Sequence, residues 1–280
     1  MAVLDVSCAV RGAYVPHSAA LLHSLYVAGA GHEVRVHYLH DSGLRRASRR
    51  RLERVAARGG GSIRFWEIAE ERVADLRVHG YFTSAMWYRV LLPELLADRP
   101  RVLYLDVDTL ALAPIAPLWD VDLDGALVAA VTNVFEEWRG TAHTDALGLD
   151  QRDYFNSGVL LLNLDELRRS GTVAELRRVA EERADDLLWP DQDVLNLVLG
   201  PRRVALHPRW NAMNSVMLLD NAADVFGAEA IEEAQRDPAI RHFEGPGANK
   251  PWKQGTTIVH REQYWAHRRA TPWRRRWVRA

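Results

Sequence analysis

The chain has 280 residues, of which 48% are hydrophobic and 26% are charged, the usual balance of a globular protein. Its formal net charge of −1 provides no overall field for nucleic acid, so a charged ligand would need a local site. The single cysteine, Cys8, excludes an intramolecular disulfide and is typical of a reducing compartment. The sequence contains no signal-peptide pattern and no apolar run near the roughly 20 residues of a membrane helix. We therefore expect a cytoplasmic protein that does not bind nucleic acid.

The first part of the chain alternates short apolar runs with helical patterns. The predicted elements are a strand at 3–9, a helix at 16–28, a strand at 34–39, a helix from an N-cap at Ser42 to residue 58, and a strand at 63–68. Strands separated by helices of this length indicate right-handed βαβ units and a largely parallel sheet.

The rest of the chain continues this alternation, without an internal repeat or a low-complexity linker. The predicted elements are a helix at 84–96, a strand at 101–106, apolar runs at 127–131 and 158–162, a helix at 165–183, a helix after Asp191, and an acidic helical segment at 220–237. We predict one α/β domain at 1–263, followed by a tail at 264–280 that is rich in arginine and tryptophan.

The strongest chemical signal is an Asp-x-Asp at the end of the strand at 101–106, where the sequence reads VLYLDVD. Ligands bind beyond the carboxyl ends of the strands in open α/β sheets. Residues two apart on an extended chain point to the same side, so Asp106 and Asp108 could converge on one cation. An isolated Asp-x-Asp is nevertheless more often a pair of acids that caps a turn.

A second hypothesis for this segment, through Asp106, Asp108 and Thr109, is a haloacid-dehalogenase phosphatase, whose nucleophile strand carries a similar pair of acids. That family needs a later lysine followed by a further acidic pair. The only lysines here, Lys250 and Lys253, are followed by a single acid. The order of residues therefore argues against a phosphatase.

Two later segments add polar groups next to predicted apolar elements. The sequence YFNSGVLL places Asn156 and Ser157 just before a buried strand. The sequence WPDQDVLN places Asp191 and Gln192 at the start of a helix, after a proline-marked turn. Asp191 alone would also fit a first-turn acid that offsets the helix dipole.

A fourth segment, HFEGPGANKPW at 242–252, joins an imidazole to a glycine-rich turn and a lysine. Backbone donors around Gly245 and the compact ammonium of Lys250 suit phosphate oxygens. Taken alone, His242 would more often be a structural histidine than a ligand.

Together, and in this order, the four segments resemble glycosyltransferase family 8, which includes bacterial lipopolysaccharide galactosyl- and glucosyltransferases and, more distantly, glycogenin. The resemblance runs from the first strand to about Trp252. It implies a GT-A fold, that is, a single Rossmann-like α/β domain with a mixed, mostly parallel central sheet flanked by helices. It also implies a nucleotide-sugar donor, UDP-glucose or UDP-galactose.

The resemblance implies a metal site formed by Asp106, Asp108 and His242. In that family these groups hold a divalent ion, usually Mn²⁺, with Mg²⁺ as the alternative, and the ion bridges both donor phosphates. Two carboxylates and an imidazole suit Mn²⁺, and the ion neutralises the diphosphate as it leaves. Lys250 and the backbone of Gly245 would complete the anion site.

The resemblance also implies roles on the sugar side of the donor. Arg89 matches a basic family position beside the donor sugar, although it would also fit an exposed helix arginine. Asn156 and Ser157 would contact ribose or sugar hydroxyls, and Asp191 the sugar hydroxyls, while Gln192 resembles the amide that faces the anomeric carbon. An amide is a poor nucleophile, so the second carboxylate of a double displacement is missing. We therefore predict front-face transfer with retention, with Gln192, Asp191 and Arg89 as the catalytic group.

The segment after the first strand departs from the family pattern. The resemblance places Ala9, Arg11, Tyr14 and Val107 beside the donor, and Tyr14 would stack on the base. Arg11 and Ala13 stand where the lipopolysaccharide enzymes carry Asp and Asn. Because arginine only donates hydrogen bonds, it could meet a uracil carbonyl but could not accept the proton on N3. A catalytically silent relative that binds a nucleotide sugar is therefore an alternative.

The tail interleaves Trp265, Trp273 and Trp277 with arginines. This composition fits either a peripheral contact with an anionic inner-membrane face or a helix packed on the domain by its tryptophans. The acceptor would be a carbohydrate, a lipid-linked sugar or a natural product, and no pattern identifies it.

Overall fold

The computed structural model describes residues 2–29, 31–80 and 82–274, although not the side chains of 137–141. The strands of this part of the chain are β1 (Val3–Val10), β2 (Glu33–His40), β3 (Ser62–Glu67), β4 (Arg101–Leu105), β5 (Thr109–Ala111), β6 (Val128–Ala130), β7 (Val159–Asn163), β8 (Arg203–Ala205) and β9 (Ile240–His242). The helices are α1 (Val15–Ala28), α2 (Arg46–Arg58), α3 (Leu92–Leu95), α4 (Ala116–Trp119), α5 (Glu137–Leu147), α6 (Leu164–Arg169), α7 (Thr172–Glu182), α8 (Pro190–Leu199), α9 (Asn214–Leu218), α10 (Ala222–Phe226), α11 (Ala228–Arg236) and α12 (Arg261–Arg269). Short 3-10 helices span Gly12–Tyr14, Glu70–Val73, Ser84–Leu91, Gly200–Arg202, Pro208–Asn211 and Gly247–Asn249.

Seven strands form the central sheet in the order β3-β2-β1-β4-β7-β6-β8. β7 runs antiparallel to both of its neighbours, β4 and β6, and the other pairs are parallel. The predicted mixed, mostly parallel sheet is therefore confirmed.

The sheet divides the core into two layers, as β4 illustrates. Leu103 and Leu105 pack on the face that α1 and α2 cover. Val102 and Tyr104 point to the opposite face, into a cluster with residues of α7 and α8. Burial on both faces explains the continuous apolar run of this strand in the sequence.

Four predicted helices differ from the structure, and the causes are local. The predicted helix at 84–96 is mostly 3-10, and the α-helical turn that follows begins beside Pro93, which has no N–H to donate. The helices predicted at 165–183 and 220–237 are each split, at Gly171 (φ 67°) and Gly227 (φ 83°). Ser42 is not an N-cap, because Asp41 accepts a hydrogen bond from the N–H of Gly43 and so forms a turn before α2 starts.

A second, two-stranded sheet lies at the carboxyl end of β4. In it, β5 and β9 run antiparallel, and Thr109 pairs with His242. The N–H of Phe243 donates to the carbonyl oxygen of Asp108, 2.9 Å away. This pairing brings a strand near the end of the chain beside the Asp-x-Asp segment.

The start of the predicted tail is packed on the domain. α12 lies against α1, and its residues Tyr264, Trp265 and Arg268 are buried, as is Trp273. These two tryptophans are therefore not available to a bilayer, whereas Trp277 lies outside the described residues. Among the described helices, none is both long enough and apolar enough to cross a membrane.

Candidate active site

The two carboxylates that follow β4 meet an imidazole from β9. Nε2 of His242 lies 3.4 Å from Oδ1 of Asp108, and ligand atoms of Asp106, Asp108 and His242 all lie within 4.8 Å of one another. His242 fits there because Gly158 has no side chain: a Cβ on Gly158 would lie 2.2 Å from Cε1 of the imidazole. Two carboxylates and an imidazole suit Mn²⁺, while Mg²⁺ prefers oxygen alone. The residues of this site therefore fit a divalent cation.

Lys250 supplies a positive charge at the same place. Its ammonium donates to Oδ2 of Asp108 and, over 2.8 Å, to the carbonyl oxygen of Phe243. Burial alone would raise the pKa of Asp108, but the charge of Lys250 holds that pKa below its usual range. Burial would likewise lower the pKa of Lys250, whereas Asp108 raises it. Both groups are therefore charged at neutral pH.

Arg89 is buried behind the carboxylates, so it is not the exposed helix arginine of the alternative interpretation. One of its guanidinium nitrogens, Nη2, lies 3.0 Å from Oδ1 of Asp106 and 3.2 Å from Oδ2 of Asp191. The hydroxyl of Tyr104 also donates to Oδ1 of Asp106, over 2.9 Å. A further nitrogen of Arg89 donates to the carbonyl oxygen of Ser157. Arg89 thus links the Asp-x-Asp segment to the start of α8.

The pKa of Asp191 is shifted towards neutral pH. Burial raises the pKa of Asp191 to about 6; the charge of Arg89 opposes this shift and that of Asp106 adds to it. A carboxyl group of this pKa changes its charge close to physiological pH.

Gln192 is held at both ends of its amide. Its Oε1 accepts from the N–H of Ser157 (2.9 Å) and from Nδ2 of Asn156 (3.2 Å). Its Nε2 donates to the hydroxyl of Tyr154, 3.2 Å away. Both the oxygen and the nitrogen of the side-chain amide are hydrogen-bonded, so the protein itself orients Gln192.

Asp193 holds the residues that precede α8 through hydrogen bonds to their backbone. Its Oδ2 accepts from the backbone N–H groups of Leu188 (2.8 Å) and Trp189 (2.9 Å). Its Oδ1 contacts the hydroxyl of Tyr154 and Nε2 of His143. Asp193 had no predicted role, although its place in the motif WPDQDVLN was a visible signal.

The segment after β1 contains Arg11 and Tyr14, which lie in different surroundings. Nε of Arg11 is 2.9 Å from Oδ2 of Asp41, and Nη1 donates to the hydroxyl of Ser84 over 2.8 Å. Tyr14 is 40% exposed and meets Trp252 edge-on, with ring centroids 5.7 Å apart. Burial raises the pKa of Tyr14, and the charges of Lys250, Asp108 and Asp106 act on it. Tyr14 is therefore near the cluster, whereas Arg11 is held by its own partners.

Three more predicted donor residues lie at the edge of this region. Ala9 and Val107 are partly exposed, at the end of β1 and after β4, and these two strands are neighbours. Gly245 is exposed in the loop after β9 with φ 82°. The structure thus brings the metal, sugar-side and lysine positions together and leaves Gly245 open to solvent.

Comparison with known proteins decides the family. The family model described as Glycosyl transferase family 8 matches residues 5–256. The chain belongs to this family. General stress protein A of Bacillus subtilis (strain 168) is 31% identical over 241 residues, or 84% of this chain and 82% of that protein. The lipopolysaccharide glucosyltransferase WaaO of Escherichia coli (strain K12) is 26% identical over 218 residues, or 76% of this chain and 62% of that protein.

The fold agrees with this assignment. The galactosyltransferase LgtC, solved in complex with donor and acceptor sugar analogues, superposes with a TM-score of 0.84 at 27% identity over 96% of each chain. This family-8 chain is therefore a glycosyltransferase with the GT-A fold. The resemblance found in the sequence is confirmed, and the phosphatase hypothesis is wrong.

Proposed function

We propose that this family-8 enzyme transfers a hexose from UDP-glucose or UDP-galactose to a hydroxyl acceptor, with retention and with the help of Mn²⁺. The observation that carries the proposal is the meeting of Asp106, Asp108 and His242 within reach of Lys250. Relatives support the choice of sugars, because LgtC is a galactosyltransferase and WaaO is a glucosyltransferase.

The proposed cation would be held by Asp106, Asp108 and His242. When bound, it neutralises negative charge on the diphosphate that leaves the sugar. Lys250, which is buried and charged, would bind an oxygen of the same diphosphate through a charge-assisted hydrogen bond. Tyr14 and Trp252 border this region, and Tyr14 would lie against the base.

Retention by front-face transfer is the proposed mechanism. Asp191 is paired with Arg89, and both the oxygen and the nitrogen of the Gln192 amide are hydrogen-bonded, so neither side chain is free to act as a nucleophile. The leaving diphosphate would accept the proton of the incoming hydroxyl while Gln192 and Asp191 position the sugar. LgtC also has a glutamine in its active site. Proton NMR of the product tests the proposal, since an inverted anomeric centre would contradict front-face transfer.

The base of the donor is the least constrained part of the proposal. Arg11 already contacts Asp41 and Ser84, so a uracil could hydrogen-bond only with the remaining N–H groups of the Arg11 guanidinium. A thermal-shift panel of the nucleoside diphosphates with Mn²⁺ tests this point directly. We expect the largest stabilisation with UDP, and a larger shift with another diphosphate would reassign the base.

The acceptor is proposed by class only, as a carbohydrate, a lipid-linked sugar or a natural product. Cys8 is a buried free thiol, which agrees with the proposed cytoplasmic location. A peripheral bilayer contact would depend on the exposed arginines and the last residues of the tail. Co-sedimentation with anionic liposomes tests it by comparing the full chain with a chain ending at residue 274, which keeps Trp265 and Trp273 in place. Absence of binding by the full chain would remove the membrane proposal, and equal binding by both chains would assign the contact to the exposed arginines up to residue 274.

A catalytically silent relative that binds a nucleotide sugar was the alternative suggested by Arg11 and Ala13, and membership of a glycosyltransferase family argues against it. Such a protein would bind UDP and Mn²⁺ yet release no sugar. Turnover of any nucleotide sugar by the purified chain rules it out.

A further inference from the structure

Asn211 is a buried amide that lies directly behind His242. It belongs to the 3-10 helix Pro208–Asn211 and has no exposed surface. Its Oδ1 is 3.0 Å from Nδ1 of His242, and its Nδ2 donates to Oδ1 of Asn156, 2.9 Å away. Asn211 had no predicted role, since it lies in a segment without a recognisable motif.

A backbone nitrogen can only donate a hydrogen bond, so its partner on a side-chain amide must be the oxygen. This rule gives the orientation of both amides. The N–H of Gly158 lies 3.0 Å from Oδ1 of Asn156, which identifies that atom as the oxygen. Asn211 must therefore present its NH₂ group to Asn156 and its oxygen to His242. An oxygen that only accepts requires a hydrogen on Nδ1 of the imidazole.

We infer that Asn211 is a positioning residue that selects the tautomer of His242 with its hydrogen on Nδ1. The lone pair of Nε2 then points to the side of Asp108, where the proposed cation would bind, so the inference rests on the proposed function. A second group that fixes the tautomer and the ring orientation is a usual requirement of a histidine ligand.

The same chain of amides continues to the sugar side. Nδ2 of Asn156 donates to Oε1 of Gln192 (3.2 Å), and Nε2 of Gln192 donates to the hydroxyl of Tyr154 (3.2 Å). Every group from His242 to Tyr154 thus donates in the same direction. Asn211 therefore positions two separate parts of the site, namely the metal ligand and, through Asn156, the amide of Gln192.

Two substitutions separate these two effects. Asn211→Leu removes both the acceptor for His242 and the donor to Asn156. Asn211→Asp keeps an acceptor for the imidazole but places an oxygen against Oδ1 of Asn156. Asn163→Leu is the matched control, because Asn163 caps α6 by accepting from the N–H of Glu166 and contacts none of these residues.

Calorimetric titration with Mn²⁺ measures the first effect. We expect Asn211→Leu to weaken cation binding by about 10–100-fold, while Asn211→Asp and Asn163→Leu bind as tightly as the wild type. The second effect appears in turnover, since Asn211→Asp is expected to lower kcat even at saturating Mn²⁺. Wild-type affinity in Asn211→Leu, or unchanged kcat in Asn211→Asp, would overturn the inference.

Nitrogen-15 NMR of the metal-free protein, labelled on histidine, reports the tautomer without any turnover. We expect neutral His242 to carry its hydrogen on Nδ1 in the wild type. A hydrogen on Nε2 would overturn the inference even if a variant failed to fold. If the wild type has the Nδ1 tautomer but binds no divalent cation, the metal part of the proposed function fails and the positioning by Asn211 stands.

Discussion

The ammonium of Lys250 donates a hydrogen bond to Oδ2 of Asp108, and both side chains are largely buried. Oδ1 of the same carboxylate faces His242, so one aspartate serves two partners. Lys250 thus balances a charge that a cation would also balance. A bound cation would free the ammonium for the diphosphate of the donor.

Replacing Lys250 tests whether its ammonium binds the diphosphate while Asp108 binds the cation. Lys250→Met should weaken binding of UDP in the presence of Mn²⁺ by about 10–100-fold, because a hydrogen bond to a charged group is worth about 1.5–3 kcal/mol. Binding of Mn²⁺ alone should not weaken, since Asp108 loses a competing partner. Calorimetry measures both affinities. Lys253→Met is the control, because Lys253 is the other lysine of the chain and is exposed; an equal loss in both variants would contradict the assignment.

Arg89 is expected to matter for stability as well as for activity. Arg89→Met leaves Asp106 and Asp191 without their shared cation in a buried site, which costs about 3–5 kcal/mol in the free energy of unfolding. Urea denaturation of the metal-free protein measures this loss. Arg178→Met should cost far less than Arg89→Met, because its ion pairs with Glu175 and Glu182 are exposed to solvent. Similar losses of unfolding free energy in the two variants would show that the ion pairs of Arg89 do not stabilise the fold more than exposed ones.

The pH dependence follows from Asp191, whose pKa burial raises to about 6. The ionised form is the one that pairs with Arg89, so kcat should rise with pH through about 6. A bound cation would neutralise Asp106 and move the midpoint to lower pH. Because the pKa of the folded state lies above that of the unfolded chain, the ionisation also lowers metal-free stability as the pH rises through this range. In Asp191→Asn the rise of kcat with pH in this range should disappear. A rise that persists would belong to the ionisation of another group.

Gly158 should be required for the observed position of the His242 ring. Gly158→Ala places a Cβ 2.2 Å from Cε1 of the imidazole, so the ring must move, and Mn²⁺ affinity is expected to fall by at least about tenfold. Gly200→Ala is the matched control, because a Cβ there meets nothing within 4 Å. Titration with Mn²⁺ compares the two, and wild-type affinity in Gly158→Ala would contradict the described geometry.

The sequence predicted the parts of the site that depend on local pattern. Asp106 and Asp108 follow an apolar strand, and the carboxyl end of such a strand is where ligands bind. Asp191 and Gln192 follow a proline-marked helix start. In each case a few neighbouring residues contain the whole signal.

Residues that depend on distant contacts were harder to predict. His242 reaches Asp108 through β5 and β9, two strands of only three residues each, which hydrophobic periodicity does not detect. The burial of Arg89 is set by Asp106 and Asp191, which lie on other elements. Asn211 acts through a buried hydrogen-bond chain, and asparagine in a loop is too common to be a signal. The family resemblance supplied His242 and Arg89, whereas nothing in the sequence supplied Asn211.

Release of nucleoside diphosphate from UDP-glucose and UDP-galactose tests the central claim most directly. With Mn²⁺, the wild type should release UDP, and either a chelator or Asp108→Asn should reduce the rate by at least about 100-fold, since the cation would no longer stabilise the leaving diphosphate. Asp186→Asn, at an exposed ion pair with Arg183, should leave the rate unchanged. A rate that survives both the chelator and Asp108→Asn, or no release from either donor, would contradict the account.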